Sequence, residues 1–377
     1  MHIQRLVDLN LLENITESTF ALQVGRKKGS VYYFYISNLK MEAINILKQE
    51  ALSVGGDLIL PKEAILCKKD FYNGILIATK SQMERIIEKC FIQPFGLKNL
   101  AKIFKSHMIE SKFTPKIMGI INITDDSFYE NSRFKDTNKI LEKIDSMINE
   151  GASIIDIGGA SSRPDSEYVP FEKEMENIKS ALLSLKDSNL LSKAAFSIDS
   201  YNYETILFAL ENGFSIINDV YGLSDERIMN LALEFDSKIV VMHNSWIYPH
   251  SGDIVQNVDD FFALKIEALE KIGVNRKNII LDIGFGFGKN TLENISLIKA
   301  LKHFMHFGCE ILVGASRKRS IGEITNTSIE SRLAPTIALH QIALQYGASI
   351  IRCHDVVEHK YMIDILNEFS CNTIEKS

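Results

Sequence analysis

With 377 residues the chain exceeds one average domain and suits a β/α barrel of roughly 250 residues with a smaller unit attached. It is 46% hydrophobic and 24% charged with a formal net charge of −6, which excludes any general attraction to nucleic acid or an anionic membrane and leaves basic features only a local role. Five cysteines without a C-x-x-C pair, an opening MHIQRLVDLN without an apolar core, and no run near the ~20 apolar residues of a membrane span together predict a cytoplasmic protein with reduced thiols.

Residues 1–114 predict a small α+β unit of unknown role. Val31 to Ile36 is aromatic and β-branched enough for a strand, and Ile44, Leu47, Ala51 and Val54 then step at helical spacing until Gly55-Gly56. Leu58 to Leu60 and Ile75 to Ala78 suggest short strands, and helices follow with apolar faces at Met83, Ile86, Ile87 and Cys90, then at Leu97, Leu100, Ala101 and Phe104. The stretch Gly25-Arg26-Lys27-Lys28-Gly29 suggests a solvated hairpin turn. No catalytic cluster stands out, so this unit is expected to support the rest without taking part in the chemistry.

From Lys116 the rhythm becomes apolar strand, loop and amphipathic helix, repeated to the end. Strands are predicted at 117–122, 153–157, 195–199, 215–219, 238–243, 279–282, 310–314 and 349–353, a count that fits a (β/α)8 TIM barrel over residues 115–377. Pro335 is accommodated if the seventh helix begins near Leu333. Polar residues collect at the strands' C-terminal ends: Asn122, Asp156, Asp199, Asn218 with Asp219, His243, Asp282, Ser316-Arg317-Lys318, and Arg352 with His354. In a barrel these ends share one mouth, so the side chains converge on one pocket.

The sharpest stretch is Ile279 to Asn290, IILDIGFGFGKN, where Gly284, Gly286 and Gly288 alternate with Phe285 and Phe287. Lys289 breaks the dinucleotide pattern G-x-G-x-x-G, and Ile283 and Asn290 break the phosphate-loop pattern. The glycines predict a loop that lets a flat ligand approach backbone.

In order, MGIINITDDSF, DIGGASSRP, SIDS, INDVYG, VVMH, DIGFGFGKN, VGASRK and IRCHDV resemble the successive signatures of the dihydropteroate synthase family, over roughly residues 115–370. The resemblance implies a folate-pathway transferase, a target class for sulfonamides, that joins 6-hydroxymethyl-7,8-dihydropterin pyrophosphate to p-aminobenzoate with loss of pyrophosphate. A dissociative substitution is implied, without a protein nucleophile. A carboxylate suits the adjacent N–H donors of a pterin, which points to Asp282. By resemblance Asp199, Asn218 and Lys318 join it, Arg352 lies over the ring, and His354, Ser162 and Arg352 hold the diphosphate, with Arg163 a further candidate. The resemblance also places Asn122 on Mg²⁺, puts Phe128, Ser162, Arg163, Pro164, Phe287 and Lys318 around p-aminobenzoate, and assigns catalytic work to Asp126, Glu130, Arg163 and Lys318.

Asp125, Glu130, Ala160, Ser162 and Ile283 depart from the family's usual residues, and Arg319 either screens the aromatic acid or faces solvent. The partners implied are small molecules, without nucleic acid or membrane, and the expected assembly is a homodimer. Two alternatives stay open: a pterin-binding methyltransferase domain serving a corrinoid partner, and a non-catalytic homologue.

Overall fold

The computed structural model describes residues 16, 18–108, 113–123, 136–160 and 168–370. Among these the chain forms two compact units, one within residues 1–109 together with Ser370 and one within 110–369.

The first unit is a three-stranded antiparallel sheet in which β1 (Val31–Lys40) and β2 (Asp57–Ile59) flank β3 (Phe71–Thr79). Helices Met41–Ser53, Lys80–Cys90 and Leu97–His107 cover it, burying Ile44, Leu47, Met83, Ile86 and Leu97 with Leu58 and Leu76 of the sheet. Thr79 and Gln82 close a reciprocal cap at the start of the second helix. One expectation fails here. Gly25 to Gly29 is the end of a helix, Thr19–Gly29, and not a hairpin turn. Ser18 caps its start by accepting from the Ala21 N–H, while Arg26, Lys27 and Lys28 in its last turn face the negative end of the helix dipole.

The second unit is a closed barrel of eight parallel strands: β4 (Lys116–Asn122), β5 (Ile154–Gly158), β6 (Ala195–Asp199), β7 (Ile216–Asp219), β8 (Lys238–Met242), β9 (Ile279–Asp282), β10 (Glu310–Val313) and β11 (Ile350–Cys353). Strand β11 pairs with β4 and closes the ring. Helices alternate with the strands, and the seventh runs Leu333–Gln345, so Pro335 sits in its first turn, where a missing N–H leaves no bond unmade.

The strand period of two sorts the interior into layers. Each strand gives one residue to an apolar floor: Met118, Ile154, Ala195, Ile216, Val240, Ile280, Leu312 and Ile350, seven of them buried and Ala195 partly so. One step toward the strand starts stand Lys116, Lys238 and Glu310, whose carboxylate takes Lys116 at 2.6 Å and Lys238 at 2.5 Å. Two residues past the floor, toward the strand ends, come Asp156, Ser197, Asn218, Asp282, Gly314 and Arg352. The polar layer therefore rests directly on the apolar one, and the core outside the strands is a separate cluster between sheet and helices. No helix among the described residues is long and apolar enough to cross a membrane.

Candidate active site

The polar layer is a network around Arg352. Its Nε donates to Asp156 Oδ2 at 2.6 Å, and its Nη2 to Asp199 Oδ2 at 2.6 Å. Asn218 Nδ2 donates to the same Asp156 oxygen at 3.0 Å. None of these bonds joins adjacent strands: β4 stands between β11 and β5, and β6 between β5 and β7, so the network crosses the barrel interior. Gly314 lies beside the arginine stem, where a Cβ would make ordinary contact at 3.5 Å from Arg352 Cβ. Burial pushes the Asp199 carboxyl up and Arg352 pulls it back down, while the two facing carboxylates keep the guanidinium charged.

Asp156 Oδ1 is buried and has no hydrogen-bond partner among the described residues. A buried acceptor with no partner needs an explanation, and Asp156 lies within the polar layer, although sequence reasoning left it out of the binding set. Its position one strand-step past the floor was the signal available.

Asp282 ends β9 and is 6% exposed. Its Oδ1 accepts from the Gly284 N–H at 2.8 Å, and Oδ2 makes no side-chain bond among the described residues. Burial raises this carboxyl above its ordinary range, against the pull of Lys318 and the Gly284 N–H. Burial likewise lowers the Lys318 ammonium to about 8, against the attraction of Asp282. Lys318 Nζ donates to the Phe285 carbonyl at 2.6 Å and stands 4.3 Å from the centre of the Phe287 ring. Trp246, which the sequence did not single out, meets Phe287 edge to face at 5.7 Å and is 46% exposed, giving the mouth an aromatic wall.

Two glycines of the loop pack against protein backbone. A Cβ on Gly284 would fall 2.0 Å from the His243 carbonyl, and one on Gly288 would fall 2.9 Å from Ser245 Cβ and Trp246 N. Gly284 and Gly288 thus approach the segment after β8, a Cβ on Gly286 would stand 3.1 Å from Lys318 Cδ, and all three glycines have positive φ. Lys289 completes the packing: its Nζ donates to the carbonyls of His243 at 2.7 Å, Gly284 at 3.1 Å and Phe287 at 3.2 Å. Burial pushes this ammonium toward about 7, yet three acceptors need three N–H groups, which favours the charged form. His243 is buried with Nδ1 unpartnered among the described residues, and burial lowers its ring to about 3, so its carbonyl is the part that matters here.

The turn after β10 carries Ser316, Arg317 and Lys318. Arg317 is a strut: at φ 55° its N–H reaches Thr336 Oγ1 at 3.1 Å, and its guanidinium takes both Asp355 oxygens at 3.0 and 2.8 Å. Ser316 Oγ lies 2.9 Å from His354 Nδ1 and accepts the His354 N–H at 3.4 Å. The hydroxyl hydrogen is then free for Nδ1, which leaves Nε2–H as the outward donor of an exposed imidazole. Asn122 is exposed at the end of β4, and its amide makes no side-chain bond among the described residues. Arg319 faces solvent, 92% exposed and paired with Glu323.

The structure thus brings Asp199, Asn218, Asp282, Phe287, Lys318, Arg352 and His354 to one mouth with Asn122 at its rim. Asp126, Phe128, Glu130, Ser162, Arg163 and Pro164 lie outside the described residues. Arg352 is tied edge-on to two carboxylates, an arrangement the sequence did not foretell.

Residues 118–354 match the family of pterin binding enzymes. A bifunctional dihydropteroate synthase/dihydropteroate reductase of Helicobacter pylori is 44% identical over 369 residues, covering 96% of this chain and 95% of that one. Two structures of Xanthomonas albilineans dihydropteroate synthase superpose on 68% of this chain and 94% of their own. That with 4-aminobenzoic acid has a TM-score of 0.64 at 32% identity, and that with 7,8-dihydropteroate 0.62 at 31%.

Proposed function

The chain belongs to the pterin-binding enzyme family and makes dihydropteroate in folate biosynthesis, and from that premise we propose how its residues divide the work. The observation that carries the reading is the polar layer, in which open carboxylate positions at Asp156 and Asp282 sit among Asn218, Lys318 and Arg352 on a dry floor. A pterin entering this layer offers N–H donors to Asp282 Oδ2 and Asp156 Oδ1 and takes a donor from Lys318. Arg352 then turns from the two carboxylates toward the ring, and the His354 Nε2–H and Ser316 hold the diphosphate at the rim.

Departure of pyrophosphate leaves a methylene cation delocalised into the pterin, and the arylamine attacks it. Stabilising the leaving group and excluding water do the catalysis, without a nucleophile from the chain. Residues Asp126, Phe128, Glu130, Ser162, Arg163 and Pro164 are proposed to complete the p-aminobenzoate site, with Phe287 and Trp246 as the wall behind it. Asn122 fits a Mg²⁺ that keeps most of its waters, because its free amide oxygen needs no partner taken from it. When bound, that ion would neutralise charge on the diphosphate. The Ser316 and His354 pair speaks against a methyltransferase reading, since a methyl donor brings no diphosphate for it.

A second reading concerns the unit within residues 1–109. The Helicobacter pylori relative aligns across 96% of this chain, both units included, and is named as a reductase too. We infer that this chain also reduces dihydropteroate, adding hydride to C6 and a proton to N5 of the pterin with a reduced nicotinamide as hydride source. On this reading the first unit does more than support the barrel. One experiment serves both readings: incubate pterin pyrophosphate and p-aminobenzoate with the full chain, with and without Mg²⁺, then add NADPH. Dihydropteroate formation tests the first reading, and nicotinamide oxidation that depends on dihydropteroate tests the second.

A further inference from the structure

Two buried histidines stand behind the diphosphate end of the site. The backbone N–H of Ala315, the residue before the Ser316 turn, donates to His340 Nε2 at 3.1 Å. An amide can only donate, so Nε2 carries no proton and the ring's proton is on Nδ1. That Nδ1–H faces His359 Nε2 at 2.8 Å, which must accept. His359 therefore keeps its own proton on Nδ1, where it donates to the Asp355 carbonyl at 2.5 Å. A chain of three hydrogen bonds thus runs from the turn after β10 to the turn after β11. It passes through helices Leu333–Gln345 and Val356–Ser370, and both rings are fully shielded from solvent.

Every proton in this chain is dictated by its neighbour. A second proton on either ring would set N–H against N–H, so the chain cannot be charged without breaking. Electrostatics agree: burial, then His359 and Lys318, hold His340 well below its ordinary range, and burial lowers His359 against the favourable Asp355 and Glu358. The pair accordingly moves no protons. Its two ends are the residues adjoining Ser316 and His354, whose side chains meet at 2.9 Å.

We infer that His340 and His359 are positioning residues which set the spacing between Ser316 and His354, so that both face one phosphate group. The inference rests on the reading that Ser316 and His354 hold the diphosphate. In the full chain, kcat and KM for the pterin pyrophosphate are compared with the calorimetric Kd for 6-hydroxymethyl-7,8-dihydropterin, which lacks the diphosphate. His340→Leu is expected to raise KM at least about tenfold and lower kcat, while the Kd for the bare pterin stays within threefold. His340→Gln, whose amide can accept from Ala315 and donate to His359, is expected to recover most of the loss.

A fall in melting temperature with unchanged kcat and KM, or parallel weakening of both ligands, overturns the inference. If the leucine variant does not fold, His359→Leu removes the links to His340 and Asp355 and leaves the bond between Ala315 and His340 in place. It should raise KM about threefold with the bare pterin unaffected, and equal constants for both ligands would again overturn the idea. The underlying reading fails separately, and visibly, if the wild-type chain binds the pterin no better with its diphosphate than without.

Discussion

Asp282 is held at one oxygen by the Gly284 N–H and open at the other, a geometry that suits two N–H donors on one ring edge. Asp282→Asn replaces that second acceptor with a donor or turns the amide against Gly284. A hydrogen bond to a charged group contributes ~1.5–3 kcal/mol, so calorimetric affinity for the pterin should fall at least about tenfold; a change below threefold removes Asp282 from the role. Lys318 gives a pH dependence with a definite sign. Its ammonium, lowered to about 8, is charged below that value and neutral above it. If it donates to the pterin, kcat/KM for the pterin pyrophosphate is flat up to about pH 8 and then falls, because this ratio reports the free enzyme. Lys318→Arg keeps its charge throughout, so whatever activity remains should lack that falling limb.

At the scale of elements, the glycine loop makes the clearest prediction. Gly284→Ala meets both a positive φ and the His243 carbonyl, so it should destabilise the barrel by roughly 3 kcal/mol or more. Gly308 has φ 72° but open space around it, and Gly308→Ala should cost about 1 kcal/mol from backbone strain alone. Urea midpoints for the two variants decide the matter, and equal losses would show that the close approach is unimportant. The eight strands were legible because runs such as VVM and IIL are apolar on both faces and stop at a polar residue. The glycines were legible as special but not in purpose, since Gly284 accommodates the carbonyl of His243 and Gly288 the Ser245–Trp246 segment, both far earlier in sequence. Asp156 was undervalued for a related reason: an unpartnered buried oxygen is a property of neighbours, which spacing does not carry. The left-handed Arg317 and the His340 to His359 chain were out of reach altogether, because each depends on which atoms of distant helices meet.

For the whole molecule, the two units bury separate cores, and the barrel closes its own ring. A chain lacking residues 1–109 should retain dihydropteroate formation. It should lose the nicotinamide-dependent reduction; retention of that activity would place the reductase in the barrel, and loss of synthesis in a folded truncated chain would mean the first unit serves both steps. The floor of Met118, Ile154, Ile216, Val240, Ile280, Leu312 and Ile350 has a further consequence. A pterinylmethyl cation would be trapped by water as readily as by an amine, and the product would then be the hydroxymethyl pterin, a futile turnover. Because the barrel is stoppered beneath the ring, solvent can compete only from the side the arylamine occupies. Leu312→Ala should therefore do more than destabilise the fold by about 2–5 kcal/mol: in the folded fraction, the ratio of hydrolysed pterin to dihydropteroate should rise, and chromatography of the two products would measure the leak.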